Sequence, residues 1–392
     1  AELDEGNIYE CLQEGWKHDL RNVWWIIDYN RQSLDGVVHE GLSERLSSVF
    51  EAFGWNLIVL KYGRLQKDAF KEPGGNLLQK WIDDCPNQLY SALIYEGGAA
   101  FKKRVLDDIG DQDIVSKLIN KRSDNEFLEL MANLGGHCVP TLCGAFNGIK
   151  DDKPTAFIAY TIKGWGTPLA GHKDNHAGLM TKIQMDSFKS KFGITEGNEW
   201  NSFLDVKEDL ELNEFIKNSP FQKARHRKYN SKKIPVADII LITETKISTQ
   251  NAFGKILDQY AKNDTEFGNR IITTSPDVSV STNLGPWINK KGLFSRTDTS
   301  DTFRDRKIPS AQKWIFSSQG QHIELGIAEM NLFLMLGAAG LSHELFGERL
   351  FPIGTVYDPF IARGLDAMNY ACYQDARFMI VGTPSGVSLA PE

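Results

Sequence analysis

One acidic residue, Glu329, stands at the entrance to a long apolar stretch of the chain. Residues 332–341 read Leu-Phe-Leu-Met-Leu-Gly-Ala-Ala-Gly-Leu, and a helix of this sequence is apolar on nearly every face, as is typical of a helix inside a sizeable core. We expect Gly326 to give the backbone freedom at the helix entry. A carboxylate in such a helix must be paired, protonated or hydrogen-bonded, because an isolated buried charge is too costly. Glu329 is therefore either a residue favoured by the helix dipole or a functional carboxylate.

Short apolar runs that alternate with helical patterns predict an α/β fold in the first half of the chain. A helical pattern over residues 1–21 precedes a buried parallel strand at 22–28. Further on we expect a helix at 42–53, strands at 55–60 and 154–162, and several helices between 75 and 148. Ligands of open α/β sheets bind beyond the carboxyl ends of strands, so the loop at 29–36 is expected to carry function.

The second half predicts another α/β unit, separated from the first by a charged linker at residues 186–235. In this unit we expect strands at 237–243 and 270–274, a helix at 248–262, the buried helix after Gly326, strands near Phe351 and Phe378, and a helix between those strands at 358–372. The sequence therefore predicts mainly parallel sheets flanked by helices. Its two domains would span residues 1–185 and 236–392.

Composition narrows the class of protein. The net charge of −7 over 392 residues argues against a general nucleic-acid-binding protein. No apolar run reaches the roughly 18 residues that a membrane span needs, so we expect no membrane segment. The cysteines are scattered, odd in number and without a Cys-x-x-Cys pair, which favours a reducing compartment such as the cytoplasm and argues against structural zinc. They are Cys11, Cys85, Cys138, Cys143 and Cys372.

Several motifs give the chain a resemblance to a known enzyme superfamily. Residues 326–329 read Gly-Ile-Ala-Glu, which is similar to the glutamate motif of the transketolase superfamily of thiamine diphosphate enzymes. Three further segments resemble motifs of the homodimeric pyruvate dehydrogenase decarboxylase component, a transketolase relative, and occur in its order. They are residues 29–36 (Tyr-Asn-Arg-Gln-Ser-Leu-Asp-Gly), 133–137 (Asn-Leu-Gly-Gly-His) and 161–166 (Thr-Ile-Lys-Gly-Trp-Gly). The resemblance implies two thiamine-diphosphate-binding-type domains, with the start of the first, the end of the second and a third domain outside this sequence.

The resemblance implies a magnesium site after the first strand. The sequence would start just after the Gly-Asp of the family's Gly-Asp-Gly motif. Ala1 would stand in place of the final glycine, with Glu2 next to it, and both residues would lie near the cofactor. Asn30 would give Mg²⁺ a side-chain oxygen and Gln32 a main-chain carbonyl, hard ligands of the kind that Mg²⁺ prefers. An aspartate ligand is expected directly before Ala1. Taken alone, Asn30 is also typical of a residue that caps a loop.

The resemblance also implies cofactor contacts in the second domain. Glu329 would contact the aminopyrimidine ring of thiamine diphosphate, with Ile327 beside it. Asp277 would lie over the cofactor, unless it only forms a Pro-Asp turn. Tyr357 and Phe360 are one helical turn apart, so both can pack on the aminopyrimidine, or both belong to the core.

The loop after the strand at 154–162 is expected to close over substrate. Residues 166–180 contain few large apolar side chains, which predicts a mobile loop. His176 in this loop would handle proton transfers to the substrate carbonyl oxygen, although residues 171–176 differ from the best-known relatives. Lys163, just before the loop, would neutralise the diphosphate or a substrate carboxylate, or else is a surface lysine at a strand end.

The function that the resemblance implies is the oxidative decarboxylation of a 2-oxo acid such as pyruvate, with thiamine diphosphate and Mg²⁺ as cofactors. The acyl group would pass to the lipoyl group of an acyltransferase component, and the enzyme would be a homodimer with active sites shared between chains. Two alternatives stay open. One is two-carbon transfer between sugar phosphates, as in transketolase, although the sequence reveals no cluster of Arg, His and Ser for the acceptor phosphate. The other is a catalytically silent scaffold or binding subunit.

Overall fold

The computed structural model describes residues 2–34, 36–201, 209–225, 229–235 and 237–383. The chain divides into two units, the first made of residues 1–4 and 20–209 and the second of residues 5–19 and 210–392. The domain boundaries after residues 185 and 235 stay predictions. The structure adds that helix α1 (Gly6–Lys17) lies in the second unit.

The first unit contains a sheet of three parallel strands. β1 (Trp24–Tyr29) and β4 (Asn56–Leu60) flank β5 (Thr155–Tyr160). Every residue of β5 is buried, because strands pair with it on both sides and helix α9 (Val139–Gly148) packs on it. Two short strands after β1, β2 (Gln32–Ser33) and β3 (Gly36–Val37), form an antiparallel ribbon. The helices of this unit are α2 (Leu42–Ala52), α3 (Arg64–Phe70), α4 (Gly75–Asp84), α5 (Asn87–Glu96), α6 (Gly98–Ile109), α7 (Asp113–Asn120), α8 (Asp124–Ala132), α9 (Val139–Gly148) and α10 (Lys182–Lys191).

The second unit contains a six-stranded parallel sheet in the order β11-β10-β6-β9-β7-β8. Its strands are β6 (Ile271–Ser275), β7 (Leu293–Phe294), β8 (Phe316–Ser317), β9 (His322–Glu324), β10 (Phe351–Val356) and β11 (Met379–Gly382). Its helices, besides α1, are α11 (Leu210–Asn218), α12 (Pro220–Arg225), α13 (Thr249–Lys262), α14 (Glu266–Arg270), α15 (Gly285–Lys291), α16 (Thr302–Asp305), α17 (Glu329–Gly340), α18 (Ser342–Leu345) and α19 (Leu365–Tyr373). The predicted architecture of mainly parallel sheets flanked by helices is confirmed.

The apolar stretch after Gly326 forms the buried helix α17. Leu332, Phe333 and Leu336 have no exposed surface and pack with Val356 of β10. Leu334, at 46% exposure, and Ala338 are the exceptions, so two positions of this helix are open to solvent in the single chain. The prediction of a helix set into a core is confirmed for the rest of its apolar face.

A polar network lies inside the second unit, away from these packed residues. Trp287 Nε1 donates to Thr273 Oγ1 at 3.0 Å, and the Thr273 hydroxyl forms a second hydrogen bond with His322 Nδ1 at 2.8 Å. His322 is buried on β9, and burial lowers its pKa to about 4. The imidazole is therefore neutral at pH 7.

One local prediction in the second unit is wrong, and Gly326 has a packing role in addition to the one expected. Residues 237–243 form no strand, and Ile239 is 86% exposed, because an apolar run becomes a strand only where another strand pairs with it. Gly326 is not in a left-handed backbone conformation. Its missing side chain leaves room for α1, since a Cβ would lie 2.5 Å from Lys17 Nζ and 2.8 Å from Glu14 Oε1.

Two further expectations concern membranes and disulfides. Among the described residues, no helix combines the length and the apolar character that crossing a membrane requires. Each of the five cysteines lies within the described ranges and is unpaired.

Candidate active site

A tight turn follows the first strand, β1, at the carboxyl edge of its sheet. β1 ends at Tyr29, and Asn30 Oδ1 accepts a hydrogen bond from the Gln32 backbone N–H at 3.0 Å. Asn30 therefore caps this turn, and its oxygen keeps a second lone pair. The Gln32 side chain is buried, and its Nε2 donates to the Gly171 carbonyl at 3.2 Å. The turn that holds both expected Mg²⁺ ligands is thus tied to the loop that follows β5.

The first residues of the chain and Lys163 lie at the same turn. Ser33 Oγ donates to Asp4 Oδ2 at 3.3 Å, which holds the short 3-10 helix Glu2–Asp4 beside the turn. Lys163 follows β5, the strand that pairs with β1, and its Nζ donates to the Leu34 carbonyl at 2.8 Å. The structure therefore brings the expected cofactor residues of this unit to one edge of the sheet. Ala1 lies outside the described residues.

The donor atoms at the turn have the chemistry of magnesium ligands and would fill part of a coordination shell. Asn30 Oδ1 and the Gln32 carbonyl are neutral, hard oxygen donors, the type that Mg²⁺ prefers. Gln32 Oε1 is buried and has no hydrogen-bond partner, so a polar group at this turn remains unsatisfied. Within the described ranges, no group of three or more His, Cys, Asp or Glu could hold a metal. Diphosphate oxygens, water and further protein oxygens would have to complete the octahedron.

The loop after Lys163 carries His176. This histidine is exposed at the end of a short 3-10 helix, Lys173–His176. Asn175 Nδ2 donates to the Lys163 carbonyl at 2.9 Å, and the Gly171 N–H donates to the same carbonyl at 3.1 Å. These bonds place His176 on the same side of the sheet as the Asn30 turn. Closure of residues 166–180 over a ligand stays a prediction.

His137 is a half-buried residue of the first unit to which the sequence gave no role. Its ring stacks on Trp165 with centroids 4.5 Å apart and planes at 17°. Its Nε2 accepts the Ile162 N–H at 2.8 Å, so the proton of the neutral ring is on Nδ1. Burial lowers the pKa of His137, and the nearby Asp28 opposes this shift. The residue acts as an acceptor that fixes the end of β5, a main-chain contact with no signal in the sequence.

In the second unit, Glu329 is the first residue of α17 and is only 3% exposed. Unpaired N–H groups and the dipole favour a carboxylate at a helix N-terminus. Arg363 Nη1 lies 2.8 Å from Glu329 Oε1 and forms an ion pair. The guanidinium of Arg363 also lies 4.1 Å from the ring centre of Phe360. The buried carboxylate is therefore paired with a cation, and Arg363 contacts only one of its two oxygens.

The other expected cofactor residues of the second unit lie around Glu329. Asp277 follows β6, and its Oδ2 accepts the Tyr357 N–H at 2.9 Å. Tyr357 comes directly after β10, and Phe360 lies in the 3-10 helix Asp358–Gly364 that follows, where an α-helix was expected. Their ring centres are 6.2 Å apart, with planes at 33°. Ile327 is 82% exposed although it is only two residues from the buried Glu329. These residues share the carboxyl edge of the sheet, where ligands of α/β folds bind.

Helix α1 supplies acidic residues that the sequence did not link to this site. Glu14 Oε1 accepts the Gly326 N–H at 3.2 Å, and Cys11 Sγ donates to Asn331 Oδ1 at 3.2 Å. Burial raises the pKa of Glu10, and the negative charges of Glu329 and Glu14 add to the shift while Arg363 opposes it. Two carboxylates four residues apart on a helix repel each other. The spacing of Glu10 and Glu14 was thus a signal that α1 packs against something polar.

The chain is similar over its whole length to the pyruvate dehydrogenase E1 component of several bacteria. It is 25% identical to the protein of Pseudomonas aeruginosa, of which it covers 46%. It is 23% identical to the protein of Cupriavidus necator, of which it covers 45%. In both cases all of this chain is aligned, and the chain spans about half the length of the curated relatives it matches. No family model matches the chain.

Solved structures with a similar fold include transketolases. Those of Campylobacter jejuni and Leishmania mexicana each have a TM-score of 0.50 and 16% identity, and each alignment covers 97% of this chain and 45% of the other. At this identity the likeness concerns the fold. Together with the E1 relatives, it confirms the resemblance to the transketolase superfamily that the sequence motifs predicted.

Proposed function

We propose that this chain provides both cofactor-binding domains of a thiamine diphosphate-dependent enzyme that oxidatively decarboxylates a 2-oxo acid, pyruvate being the best candidate. The similarity to E1 components supports the reaction class. The single observation that carries the proposal is Glu329, a buried carboxylate at the start of an apolar helix with an aromatic pair and an exposed Ile327 beside it. A carboxylate that served only the fold would not need such surroundings.

In the second unit, the side chains would bind and orient the aminopyrimidine. Tyr357 and Phe360 present ring faces, and Asp277 fixes the backbone of Tyr357. Glu329 Oε2 would share a proton with the ring nitrogen of the pyrimidine in a hydrogen bond. Arg363 holds Oε1 and thereby orients the carboxylate. When bound, thiamine diphosphate would supply the electron sink that decarboxylation requires.

In the first unit, the Asn30 turn would hold the diphosphate through Mg²⁺. Asn30 Oδ1 and the Gln32 carbonyl would be ligands, and Lys163 would give up its bond to the Leu34 carbonyl to neutralise a phosphate or a substrate carboxylate. Glu2 would lie close to this site, as its place beside the turn suggests. His176, exposed on the neighbouring loop, would donate a proton to the substrate carbonyl oxygen.

The assembly that we propose is a homodimer in the cytoplasm that hands its acyl group to a lipoyl-bearing acyltransferase. The homodimer and the acyltransferase follow from the resemblance to E1 components, and the compartment follows from the scattered cysteines. In the dimer, the diphosphate domain of one subunit would face the pyrimidine domain of the other. A species that sediments as a monomer and still turns over substrate would contradict this arrangement.

The test compares two substrates on the complete protein loaded with thiamine diphosphate and Mg²⁺. Pyruvate should release carbon dioxide and acetylate free lipoamide, whereas a ketose phosphate with an aldose acceptor should give no transfer. Asn30→Ala should abolish most turnover, and Arg45→Leu, an exposed change on α2, should leave it intact. Turnover of the ketose phosphate alone would support transketolase chemistry, and failure to bind the cofactor would support a silent scaffold.

A further inference from the structure

The turn after β1 contains a buried arginine with a strained backbone. Arg31 has a φ of +63°, in the left-handed region that side chains other than glycine rarely adopt. It is also only 7% exposed, and none of the ion pairs between described residues includes it. A strained backbone and a buried charge both cost free energy, and such features persist where the surrounding structure imposes them, often at functional sites.

Two tyrosine rings hold the guanidinium of Arg31. Its central carbon lies 4.3 Å from the ring centre of Tyr90 and 5.8 Å from that of Tyr160, which is within the range of cation–π attraction. Both rings are buried and fixed. Tyr90 Oη on α5 donates to the Met131 carbonyl at 2.6 Å, and Tyr160 Oη at the end of β5 donates to Ser43 Oγ at 2.8 Å.

The contact of the Arg31 guanidinium with the rings of Tyr90 and Tyr160, the clamp, also affects the residues that flank Arg31. The main-chain carbonyl of Arg31 accepts a hydrogen bond from the Val38 N–H at 2.9 Å, which ties the turn to the β2–β3 ribbon. Asn30 Oδ1 is held by the Gln32 N–H, and Gln32 is held by the Gly171 carbonyl. With Arg31 fixed in the left-handed conformation, the directions of Asn30 Oδ1 and the Gln32 carbonyl are fixed as well.

We propose that Arg31 is a positioning residue for the divalent-cation site: its guanidinium, clamped between Tyr90 and Tyr160, sets the turn that presents the oxygen donors of Asn30 and Gln32. This inference rests on the proposed function, because it assumes that the turn binds Mg²⁺ with thiamine diphosphate. It assigns no contact between Arg31 and the ion. Residues that orient metal ligands commonly change metal affinity by about 10–100-fold when they are replaced.

The experiment uses Mn²⁺ as the probe ion, with the complete protein and saturating thiamine diphosphate. Electron paramagnetic resonance reports free and bound Mn²⁺, so it gives the affinity and the symmetry of the bound ion without any turnover. Arg31→Leu should weaken Mn²⁺ binding by about 10–100-fold and alter the spectrum of the bound ion. Arg45→Leu removes an equal charge from an exposed position on α2 and should change neither.

A pair of changes at Tyr90 separates positioning from general stability. Tyr90→Phe keeps the ring face under Arg31 but loses the hydrogen bond to Met131, so it should lower the thermal unfolding midpoint and leave Mn²⁺ affinity near that of the parent. Tyr90→Leu loses the ring as well and should weaken Mn²⁺ binding as Arg31→Leu does. If Arg31 contributed only to the stability of the fold, the Mn²⁺ affinity of both Tyr90 variants would fall together with their thermal unfolding midpoints.

Three outcomes overturn the inference. If the parent binds Mn²⁺ and Arg31→Leu binds it equally well, Arg31 does not position the ligands, while the proposed function stands. Should Tyr90→Phe weaken binding as much as Tyr90→Leu, the effect is one of stability. If the parent binds no Mn²⁺ in the presence of thiamine diphosphate, both the cation site and the inference are refuted.

Discussion

Replacing Glu329 by Gln separates a role in the fold from a role in catalysis. The amide has nearly the same shape, and its oxygen can still accept the hydrogen bond from Arg363 Nη1, 2.8 Å from Oε1 in the parent. Only the charge assistance of that bond is lost. Because the side chain of Arg363 is 52% exposed, water can solvate the guanidinium. We therefore expect the free energy of unfolding to fall by only about 1 kcal/mol.

Turnover should fall much further than stability. A positioned acid or base typically contributes about 10²–10⁴ in rate, so Glu329→Gln should lower kcat by about that factor. A hundredfold loss corresponds to about 2.7 kcal/mol of activation free energy, more than twice the expected loss of stability. Cofactor binding should survive better than turnover, since the shape of the pocket is kept.

The assay is deuterium exchange at the reactive thiazolium carbon of bound thiamine diphosphate, with cofactor and Mg²⁺ saturating. Glu329→Gln should slow this exchange relative to the parent. Glu344→Gln is the matched control, because Glu344 also lies in the first turn of a helix, α18, and its side chain is 66% exposed. Equal exchange rates in the parent and Glu329→Gln would mean that Glu329 has a structural role in the helix and no catalytic role.

Three further predictions concern the cation site, the loop and the core. Asn30→Ala should weaken binding of Mg²⁺ and thiamine diphosphate without unfolding the sheet, because the side chain lies in a turn. Unchanged affinity in calorimetric titration would contradict the assignment of Asn30 as a Mg²⁺ ligand. Without ligand, residues 166–180 should exchange their amide hydrogens faster than β5 and α10, and strong protection of this loop would contradict its role as a lid. Because burial lowers the pKa of His322 from 6.5 to about 4, the unfolded chain takes up a proton below pH 6.5 while the folded chain does not. The free energy of unfolding should therefore drop by about 3 kcal/mol between pH 7 and pH 4 through this group. His322→Phe should flatten that part of the profile, and a profile parallel to the parent's would show that another group is responsible.

The local pattern of the sequence was sufficient where burial alone decides structure. The strand β5 and the helix α17 are apolar runs of the right length, and both lie where the pattern predicted. The same holds for the position of the Asn30 turn, since the carboxyl end of a parallel strand is where a loop must leave the sheet. Glu329 could be singled out because a carboxylate at the start of an apolar helix needs a partner.

Tertiary structure decided everything that depends on which partner a residue meets. Residues 237–243 are as apolar as a strand, yet no segment of the described chain pairs with them, and pairing is a property of two segments. Arg363 lies 34 residues beyond Glu329, and only the return of the chain after β10 brings its guanidinium to the carboxylate. Helix α1 precedes β1 in sequence but packs in the second unit, where Glu14 fills the space that Gly326 leaves. Periodicity specifies that a side chain is buried, whereas the identity of its neighbours follows from the path of the whole chain.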